Sequence, residues 1–279
     1  MKKILITGAN SFVGTSFEKY MKQFDGYKVD TLDLKNPEWV NYSFEGYDVV
    51  FHVAGIAHIK ETDANRDLYY LVNRDLAIKT ADKAKDSGVR QFILMSTMSV
   101  YGKVVGSISK NSECFPVNAY GKSKLMADEY ISRLSDTNFR VAILRPPMIY
   151  GYGCKGNYPL LRKFALKIPF FPDYHNERSM IFIDNLSYFV KELIDNCKSG
   201  LFIPQNKEYV STTEMVKLIA LCNNKHLMCT KLFNMLIKIC KINIVNKVFG
   251  DLTYEKADLV DYVDFAESIR LTEMNCLDK

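Results

Sequence analysis

Tyr120 and Lys124 are the residues in this sequence best suited to proton chemistry. They are four positions apart in a stretch with helical periodicity, so one helical turn places the phenol and the ammonium on the same helix face. A nearby cation lowers the pKa of a tyrosine, which is ordinarily about 10. A strand-like run ends upstream in Ser96-Thr97. The spacing predicts a proton-transfer site; the alternative is a solvated helix face on which two common residues are four apart by chance.

A glycine turn near the N-terminus has the composition of a phosphate-binding turn. It lies where a first strand meets a first helix, a junction at which backbone N–H groups and the helix dipole hold a pyrophosphate. Gly8 permits the tight turn and Gly14 a close helix-to-strand contact, whereas Ser11 fills the middle position of a Gly-x-x-Gly-x-x-Gly pattern. The alternative is an ordinary turn before a helix. The candidate cofactor-binding residues in this turn are Gly8, Asn10, Ser11, Phe12, Val13 and Gly14.

Two strand ends add to the predicted cofactor site. Asp33, followed by Leu34, closes the second predicted strand, where a carboxylate accepts hydrogen bonds from an adenosine ribose. This carboxylate repels a 2′-phosphate and favours NAD over NADP, although Lys35 is close; the alternative is a solvated aspartate. Another predicted strand ends in His52-Val53-Ala54-Gly55, and small Ala54 and Gly55 let a cofactor lie against the sheet edge. His52 is expected to be a packed histidine rather than a base.

These residues require a scaffold that brings strand ends and helix starts together. Short apolar runs predict strands, and helical spacing predicts helices between them. Such alternation favours a right-handed, mostly parallel, doubly wound α/β sheet of the Rossmann type. The predicted strands are residues 3–7, 27–34, 48–54, 91–96 and 140–145, and the predicted helices include 65–87 and 119–134.

The pattern divides the chain into a larger and a smaller part. We predict an NAD-binding domain over residues 1–150, with 181–203 returning to it. Residues 151–180 and 204–279 are predicted to form a smaller C-terminal substrate-binding lobe, in which 151–174 are expected to be a loop rich in Gly, Tyr and Pro. Residues 231–249 are apolar and lysine-rich. They are predicted to form a core-facing helix with lysine stems reaching solvent; the alternative is a helix on a membrane surface.

Composition narrows the function classes. With 48% hydrophobic and 25% charged residues among 279, the sequence is typical of a soluble globular protein. The net charge of +5 is spread along the chain, which argues against nucleic-acid binding. The seven cysteines form no Cys-x-x-Cys pair or regular metal-ligand spacing. We therefore expect reduced thiols, no metal and a cytoplasmic location. The N-terminus resembles a signal peptide for only a few residues, and membrane association is not expected.

Several motifs in order resemble one known family. These motifs occur along residues 1 to 215 in the order seen in the extended short-chain dehydrogenases/reductases. Within these, the sequence is most similar to the UDP-glucose 4-epimerase-like group of the NAD-dependent epimerase/dehydratase family. That group serves bacterial surface-polysaccharide pathways. The motifs are Thr7-Gly8 with Gly14, the strand Asp48 to Gly55, Val72-Asn73, Ser96-Thr97-Met98-Ser99-Val100-Tyr101-Gly102, Tyr120-x-x-x-Lys124 and Arg145-Pro146-Pro147-Met148-Ile149-Tyr150-Gly151.

The resemblance implies a role for each matching residue. Tyr120 would be the acid/base, Lys124 its pKa-lowering neighbour and a ligand of the nicotinamide ribose, and Thr97 the hydroxyl that binds the reacting sugar oxygen. Asn73 and Pro147 would lie near the cofactor; the alternative for Asn73 is an ordinary helix residue. The resemblance also implies an arginine that binds the diphosphate and a segment around Phe171 whose backbone contacts the base; the alternative for that segment is ordinary packing. The implied substrate contacts are Ser99, Asn157, Phe171 and Arg178.

Departures from the family pattern restrict the chemistry. Dehydratases carry Asp-Glu after the threonine, whereas Met98 and Ser99 stand here and cannot act as acid and base. Met148 and Ala57 stand where galactose epimerases place Asn and Lys. Dehydration is disfavoured, and the identity of the sugar stays open.

Three functions are compatible with these residues. The first is an NAD-dependent nucleotide-sugar 4-epimerase that acts through a transient 4-keto sugar on a UDP-hexose or UDP-N-acetylhexosamine. The second is an NAD(P)H-dependent reductase of a 4-keto-6-deoxy nucleotide sugar, which needs the same proton relay. The third is a non-catalytic, NAD-binding regulatory protein, whose usual signature would be a lost tyrosine or lysine. The resemblance also implies a homodimer formed through helices around 65–87 and 119–134.

Overall fold

A computed structural model describes residues 1–57, 59–239 and 242–277. Its strands are β1 (Lys2–Thr7), β2 (Tyr27–Leu32), β3 (Val49–His52), β4 (Gln91–Met95), β5 (Gly106–Ile108), β6 (Arg140–Leu144), β7 (Met148–Tyr150), β8 (Phe170–Pro172), β9 (Met180–Phe182), β10 (Gly200–Phe202), β11 (Gln205–Asn206), β12 (Met228–Thr230), β13 (Leu252–Tyr254) and β14 (Leu259–Val260). Its helices are α1 (Phe12–Met21), α2 (Arg66–Tyr70), α3 (Leu76–Asp86), α4 (Ala119–Arg133), α5 (Asn157–Lys167), α6 (Ile183–Asp195), α7 (Thr212–Cys222), α8 (Asn234–Ile239), α9 (Asn243–Phe249) and α10 (Phe265–Leu277).

The chain folds into two compact units, each with contributions from several segments. Unit 1 consists of Met1–Gly102, Glu113–Pro146 and Leu186–Ile203. Unit 2 consists of Lys103–Ser112, Pro147–Asn185 and Pro204–Lys279.

Unit 1 is built on a six-stranded sheet in the order β10-β6-β4-β3-β1-β2, and every pair of neighbouring strands in it is parallel. The inner strands are buried along their length, because both faces of the sheet are covered: every residue of β3 and β4 is buried, and so are Ile4, Leu5 and Ile6 in β1. The predicted Rossmann-type, doubly wound α/β fold is confirmed. Because all strands run in the same direction, their carboxyl ends lie at the same end of the sheet, and ligands of such sheets bind there.

The helices of unit 1 begin at clear signals. Ser11 caps α1, and Asn118 caps α4 by accepting a hydrogen bond from the backbone N–H of Gly121 at 2.8 Å. The predicted helix over 65–87 is interrupted by a π-helical turn, Leu71–Asp75, between α2 and α3. Such single-turn widenings frequently mark functional sites, and this one contains Asn73.

Unit 2 combines short parallel pairs with helices. Its strand pairs are β7 with β9, β8 with β12, β5 with β13, and β11 with β14. Helices α5 and α10 both pack on α7. The buried carboxylate of Glu273 accepts hydrogen bonds from Tyr158 at 2.8 Å, Arg162 at 2.7 Å and Asn223 at 2.8 Å, which ties these helices together.

The expectation of a loop over residues 151–174 was wrong. This segment contains α5 and β8, and in α5 the side chains of Tyr158, Leu161 and Ala165 are buried at helical spacing. The Gly, Tyr and Pro content of the segment hid this apolar stripe.

The expectation of a single core-facing helix over residues 231–249 was also wrong. The segment forms a 3₁₀ turn, Lys231–Phe233, followed by α8 and α9, and α8 contains no buried residue. Cys240, which belonged to the expected apolar face, lies outside the described residues. In the part of the chain that the structure describes, no helix has the length and apolarity needed to cross a membrane.

Candidate active site

Thr97 and Tyr120 meet at the carboxyl end of β4. Thr97 caps the 3₁₀ turn Met98–Tyr101, its hydroxyl accepting a hydrogen bond from the N–H of Ser99 at 3.1 Å. The start of α4 packs against this turn at Gly121, where an added Cβ would lie 2.8 Å from the carbonyl oxygen of Ser99. This close approach brings the Tyr120 phenol into hydrogen-bond contact with the Thr97 side chain.

The environment of Tyr120 sets its acidity in two opposed ways. Burial raises its pKa, while the hydrogen bond from Thr97 lowers it; the net direction is upward. The nearby Asp128 charge also raises the pKa of Tyr120. The Tyr69 ring stands edge-on to the Tyr120 ring at 6.3 Å between centroids and fixes its orientation. Thr97, rather than Lys124, is therefore the side chain that favours the phenolate here.

Lys124 lies one turn further along α4 and is almost completely buried. Its ammonium donates a hydrogen bond to the carbonyl oxygen of Met95 at 2.9 Å, at the end of β4. Burial lowers the pKa of Lys124 to about 8, and the charge of Asp128 acts against this shift. A cation held in this way can donate hydrogen bonds to polar groups of a ligand at the same strand end.

Asn73 holds the loop that follows β3. Its amide oxygen accepts from the N–H of Ile56 at 2.8 Å, and its amide nitrogen donates to the carbonyl of Ile56 at 3.1 Å and to the Ser123 hydroxyl at 3.3 Å. A Cβ added at Gly55 would lie 2.9 Å from the Asn73 amide oxygen and 3.1 Å from the Lys124 ammonium. The structure therefore places Gly55, Asn73 and Lys124 side by side.

The glycine turn after β1 has the shape of a cradle for a phosphate. Gly8 has φ 116°, and a Cβ there would lie 2.6 Å from the backbone nitrogen of Ala54. Asn10 has φ 63°, which turns the chain toward α1. The Ser11 hydroxyl accepts from the N–H of Gly14 at 3.1 Å, and the backbone N–H groups of the first turn of α1, from Phe12 and Val13, have no partner within the helix. Side chains could not replace these glycines, so the turn fits the pyrophosphate of a dinucleotide.

Asp33 and Leu34 follow β2 directly. Asp33 is exposed, and one carboxylate oxygen accepts from the N–H of Lys35 at 2.9 Å, while Leu34 is buried. This turn leaves the other carboxylate oxygen of Asp33 available to a ribose. His52 is fully buried beside Thr7, with 2.9 Å between the Thr7 hydroxyl and Nδ1, and burial lowers its pKa to about 3. It packs as a neutral ring, as expected.

One group of functional interest has no counterpart in the sequence-based predictions. Asp128, one turn beyond Lys124, accepts hydrogen bonds from Ser96 at 2.8 Å and from Arg145 Nε at 3.0 Å. Arg145 also donates to the Tyr101 hydroxyl at 3.1 Å. Burial raises the pKa of Asp128 to about 6, and Arg145 opposes that shift. The available signal was the acidic residue four positions after Lys124 on the same helix face.

The predicted substrate residues are spread over both units. Ser99 is exposed in the turn after Thr97, in unit 1. In unit 2, Asn157 is exposed at the start of α5, and the Phe171 ring is buried against Phe249 at 5.8 Å. Arg178 donates to the carbonyl of Gly250 at 2.7 Å, and burial lowers its pKa. Pro147, predicted to contact the cofactor, is buried at the start of a unit 2 segment.

Comparison with known proteins assigns the chain to a family. Residues 4–201 match the model of the NAD dependent epimerase/dehydratase family. The chain belongs to this family. The expected family is thereby confirmed.

Individual known proteins are similar to this chain over most of its length. A UDP-glucose 4-epimerase from Vibrio cholerae is 30% identical over 285 residues, covering 90% of this chain and 86% of that protein. An N-acetyl-alpha-D-glucosaminyl-diphospho-ditrans,octacis-undecaprenol 4-epimerase from Escherichia coli O157:H7 is 27% identical over 215 residues, covering 71% of this chain and 64% of that protein. The crystal structure of UDP-glucuronic acid 4-epimerase from Bacillus cereus in complex with NAD has a TM-score of 0.76 at 19% identity and covers 99% of both chains, a likeness of fold.

Proposed function

We propose that this protein is an NAD-dependent nucleotide-sugar 4-epimerase that acts through a transient 4-keto sugar. The observation that carries the proposal is the hydrogen-bonded pair of Thr97 and Tyr120, at the same strand end as the buried Lys124. A proton relay at a predicted dinucleotide site suits the removal and return of a hydride at an alcohol carbon. Met98 and Ser99 replace the carboxylates that a dehydratase uses, so the relay has no partner for water elimination.

The residues proposed to hold NAD form three groups, and all of them except Pro147 belong to unit 1. The turn from Gly8 to Gly14 would hold the pyrophosphate, and Asp33 with Leu34 would contact the adenosine ribose and exclude a 2′-phosphate, so NADP is disfavoured. Ala54, Gly55, Asn73, Tyr120, Lys124 and, from unit 2, Pro147 are the proposed contacts of the nicotinamide half. When bound, NAD supplies a hydride acceptor and a positive charge that favours the Tyr120 phenolate.

The proposed proton path uses groups of this chain throughout. Tyr120 Oη takes the proton of the sugar 4-hydroxyl as the C4–H bond breaks with loss of hydride, which leaves a ketone at C4. Thr97 Oγ1 orients the reacting oxygen through its hydrogen bond with the phenol. After the 4-keto sugar presents its opposite face, hydride returns to C4 and Tyr120 returns the proton to the same oxygen. Protons and electrons balance over the cycle, and only the configuration at C4 has changed.

The substrate we propose is a UDP-linked hexose or N-acetylhexosamine used in surface-polysaccharide synthesis. The similarity to a UDP-glucose 4-epimerase along 90% of the chain supports this class. The half-buried guanidinium of Arg178 is the proposed diphosphate ligand, because its fork geometry matches two phosphate oxygens. Ser99, Asn157 and the backbone around Phe171 are the proposed additional contacts. The proposed role of unit 2 as the nucleotide-sugar-binding lobe, with residues 1–150 and 181–203 as the NAD-binding domain, rests on Asn157, Phe171 and Arg178, whereas Ser99 lies in unit 1.

The direct test incubates the purified chain and NAD with UDP-glucose, UDP-galactose and their N-acetylated forms, and follows the sugars by chromatography. Interconversion of at least one pair without net change in reduced-cofactor absorbance is expected. Stoichiometric loss of NADH or NADPH absorbance with a 4-keto-6-deoxy nucleotide sugar would instead establish the reductase. Unchanged cellular function of Tyr120→Phe would establish a regulatory protein that only binds NAD.

We further propose that the chain works as a cytoplasmic homodimer. Apolar side chains are exposed on the helices expected to pair: Leu71 is 58% exposed in the π-helical turn after α2, and Met126 is 43% exposed on α4. The six cysteines among the described residues are unpaired thiols, which fits a reducing compartment. Light scattering is expected to give twice the chain mass, and a strict monomer would refute the dimer.

A further inference from the structure

An exposed apolar stripe runs along the segment 231–249 of unit 2. Leu232, Met235, Leu236 and Ile239 are 78%, 72%, 65% and 71% exposed. Met235, Leu236 and Ile239 lie on one face of α8, since they are one, three and four residues apart, and Leu232 lies in the 3₁₀ turn directly before α8. Contiguous exposed apolar groups of this kind mark an interaction site rather than an ordinary surface.

Residues at the start and at the end of the segment contact the rest of unit 2. At its start, the Asn234 amide donates to the carbonyl oxygen of Asp173 at 2.9 Å, and β12, directly before the segment, pairs with β8. At its end, the Phe249 ring packs on Phe171 at 5.8 Å and on Tyr174 at 5.7 Å. The stripe itself therefore lies next to the contact between Asn234 and Asp173, and α9 has its own contacts through Phe249.

The charges beside the stripe have one sign. Between Glu214 and Asp251 the sequence has no Asp or Glu at all, whereas Lys231, Lys238 and Lys247 lie within the segment and are exposed. Lys231 directly precedes Leu232 in the 3₁₀ turn, and Lys238 directly precedes Ile239 in α8, so an exposed lysine lies next to each end of the stripe. The lysines thus lie where they can contact anions while the leucines and Met235 contact an apolar phase.

We propose that the segment 231–249 docks the protein on an anionic membrane surface. The apolar stripe enters the boundary between headgroups and acyl chains, and the lysines contact lipid phosphates, as in interfacial amphipathic helices. A second copy of this chain fits the surface poorly, because pairing it with itself would bring like charges together. The inference concerns binding only and is independent of the proposed epimerase activity.

The test is flotation of the full chain with vesicles of phosphatidylcholine alone or of phosphatidylcholine with phosphatidylglycerol. The chain is expected to float with the anionic vesicles and not with the neutral ones, and added salt is expected to weaken binding through screening. Lys231→Gln/Lys238→Gln/Lys247→Gln is expected to lower the partition coefficient about a hundredfold, since each lysine near an anionic surface contributes about a factor of five. The matched control, Lys19→Gln/Lys22→Gln/Lys28→Gln in unit 1, removes the same charge and should bind as the parent chain does.

A second pair of variants separates apolar insertion from charge alone. Leu232→Ser/Leu236→Ser is expected to abolish flotation at every salt concentration. The control Val40→Ser replaces an exposed apolar side chain of unit 1 by a polar one and should leave flotation unchanged. Failure of the parent chain to bind anionic vesicles would overturn the proposal. Binding of the Leu232→Ser/Leu236→Ser variant equal to that of the parent chain would also overturn it. Loss of self-association in that variant without vesicles would overturn it as well, and would assign the stripe to contact with a second copy of the chain.

Discussion

Asp128 accepts a hydrogen bond from Arg145 Nε at 3.0 Å, both side chains are buried, and Asp128 lies one turn beyond Lys124 on α4. The pair joins α4 to the end of β6, so the helix that carries Tyr120 and Lys124 is fixed to the sheet by a charged contact. Because a buried charge is costly without its partner, this pair is sensitive to loss of either member.

Replacing Asp128 by Asn is therefore expected to destabilise unit 1. The substitution leaves the Arg145 guanidinium buried without its carboxylate, and removal of one partner from such a pair costs about 3 kcal/mol or more. Urea unfolding followed by circular dichroism measures the change. The matched control is Asp261→Asn, which breaks an exposed ion pair with Lys207 and should leave the midpoint unchanged. Equal effects of the two variants would show that Asp128 is not a structural support.

The buried ammonium of Lys124 makes stability depend on pH. Its pKa is lowered from 10.5 to about 8 in the folded chain, so between these values the unfolded chain binds more protons and stability rises with pH. Lys124→Met removes this contribution. The free energy of unfolding of Lys124→Met relative to the parent chain is expected to be most favourable below about pH 8 and to fall as pH rises toward 10.5. A pH-independent difference between the two proteins would contradict the lowered pKa.

The hydroxyl of Thr97 is expected to control the acidity of Tyr120. Thr97→Val removes the hydrogen bond that lowers the Tyr120 pKa, so the acidic limb of the pH profile of kcat/KM should move to higher pH. A hydrogen bond to a charged group is worth about 2 kcal/mol, which predicts roughly a thirtyfold loss of rate. Thr97→Ser keeps the hydroxyl and should restore both the rate and the profile. An unshifted profile in Thr97→Val would remove Thr97 from the relay.

Asn73 is expected to act through the peptide of Ile56. Asn73→Ala leaves the N–H and the carbonyl of Ile56 without their amide partner, at a cost of about 1–3 kcal/mol, and frees the loop that carries Gly55. NADH fluorescence titration should show weaker binding. Ser123→Ala removes only the longer contact of 3.3 Å and is expected to bind NADH almost as the parent chain does. Stronger weakening by Ser123→Ala than by Asn73→Ala would reverse this assignment.

The sheet and the glycine turn could be predicted from the sequence because their signals are local. The buried run Ile4-Leu5-Ile6 and the turn at Gly8 lie next to each other along the chain, and each needs only its neighbours to be recognised. The start of α4 is equally local, since Asn118 caps the helix from the preceding position.

Unit 2 and the support of Lys124 depend on contacts between distant parts of the chain. Strand β5 pairs with β13, which lies far along the sequence, and strands of three residues carry no periodicity of their own. In the sequence Asp128 resembles an ordinary polar helix residue, and its burial and its pairing with Arg145, directly after β6, become visible only in the fold. The exposure of the apolar stripe was likewise hidden, because apolar residues at helical spacing predict burial unless the rest of the lobe leaves them uncovered.

The central claim is that hydride leaves and returns to the same carbon of a nucleotide sugar while Tyr120 moves the proton. The most direct measurement equilibrates a UDP-hexose labelled with deuterium at C4 with the protein and NAD in ordinary water, and locates the label in the product by NMR. The account predicts the C4 epimer with deuterium still at C4 and none released to solvent. Formation of no epimer, or of an epimer whose deuterium has exchanged with water, would contradict it.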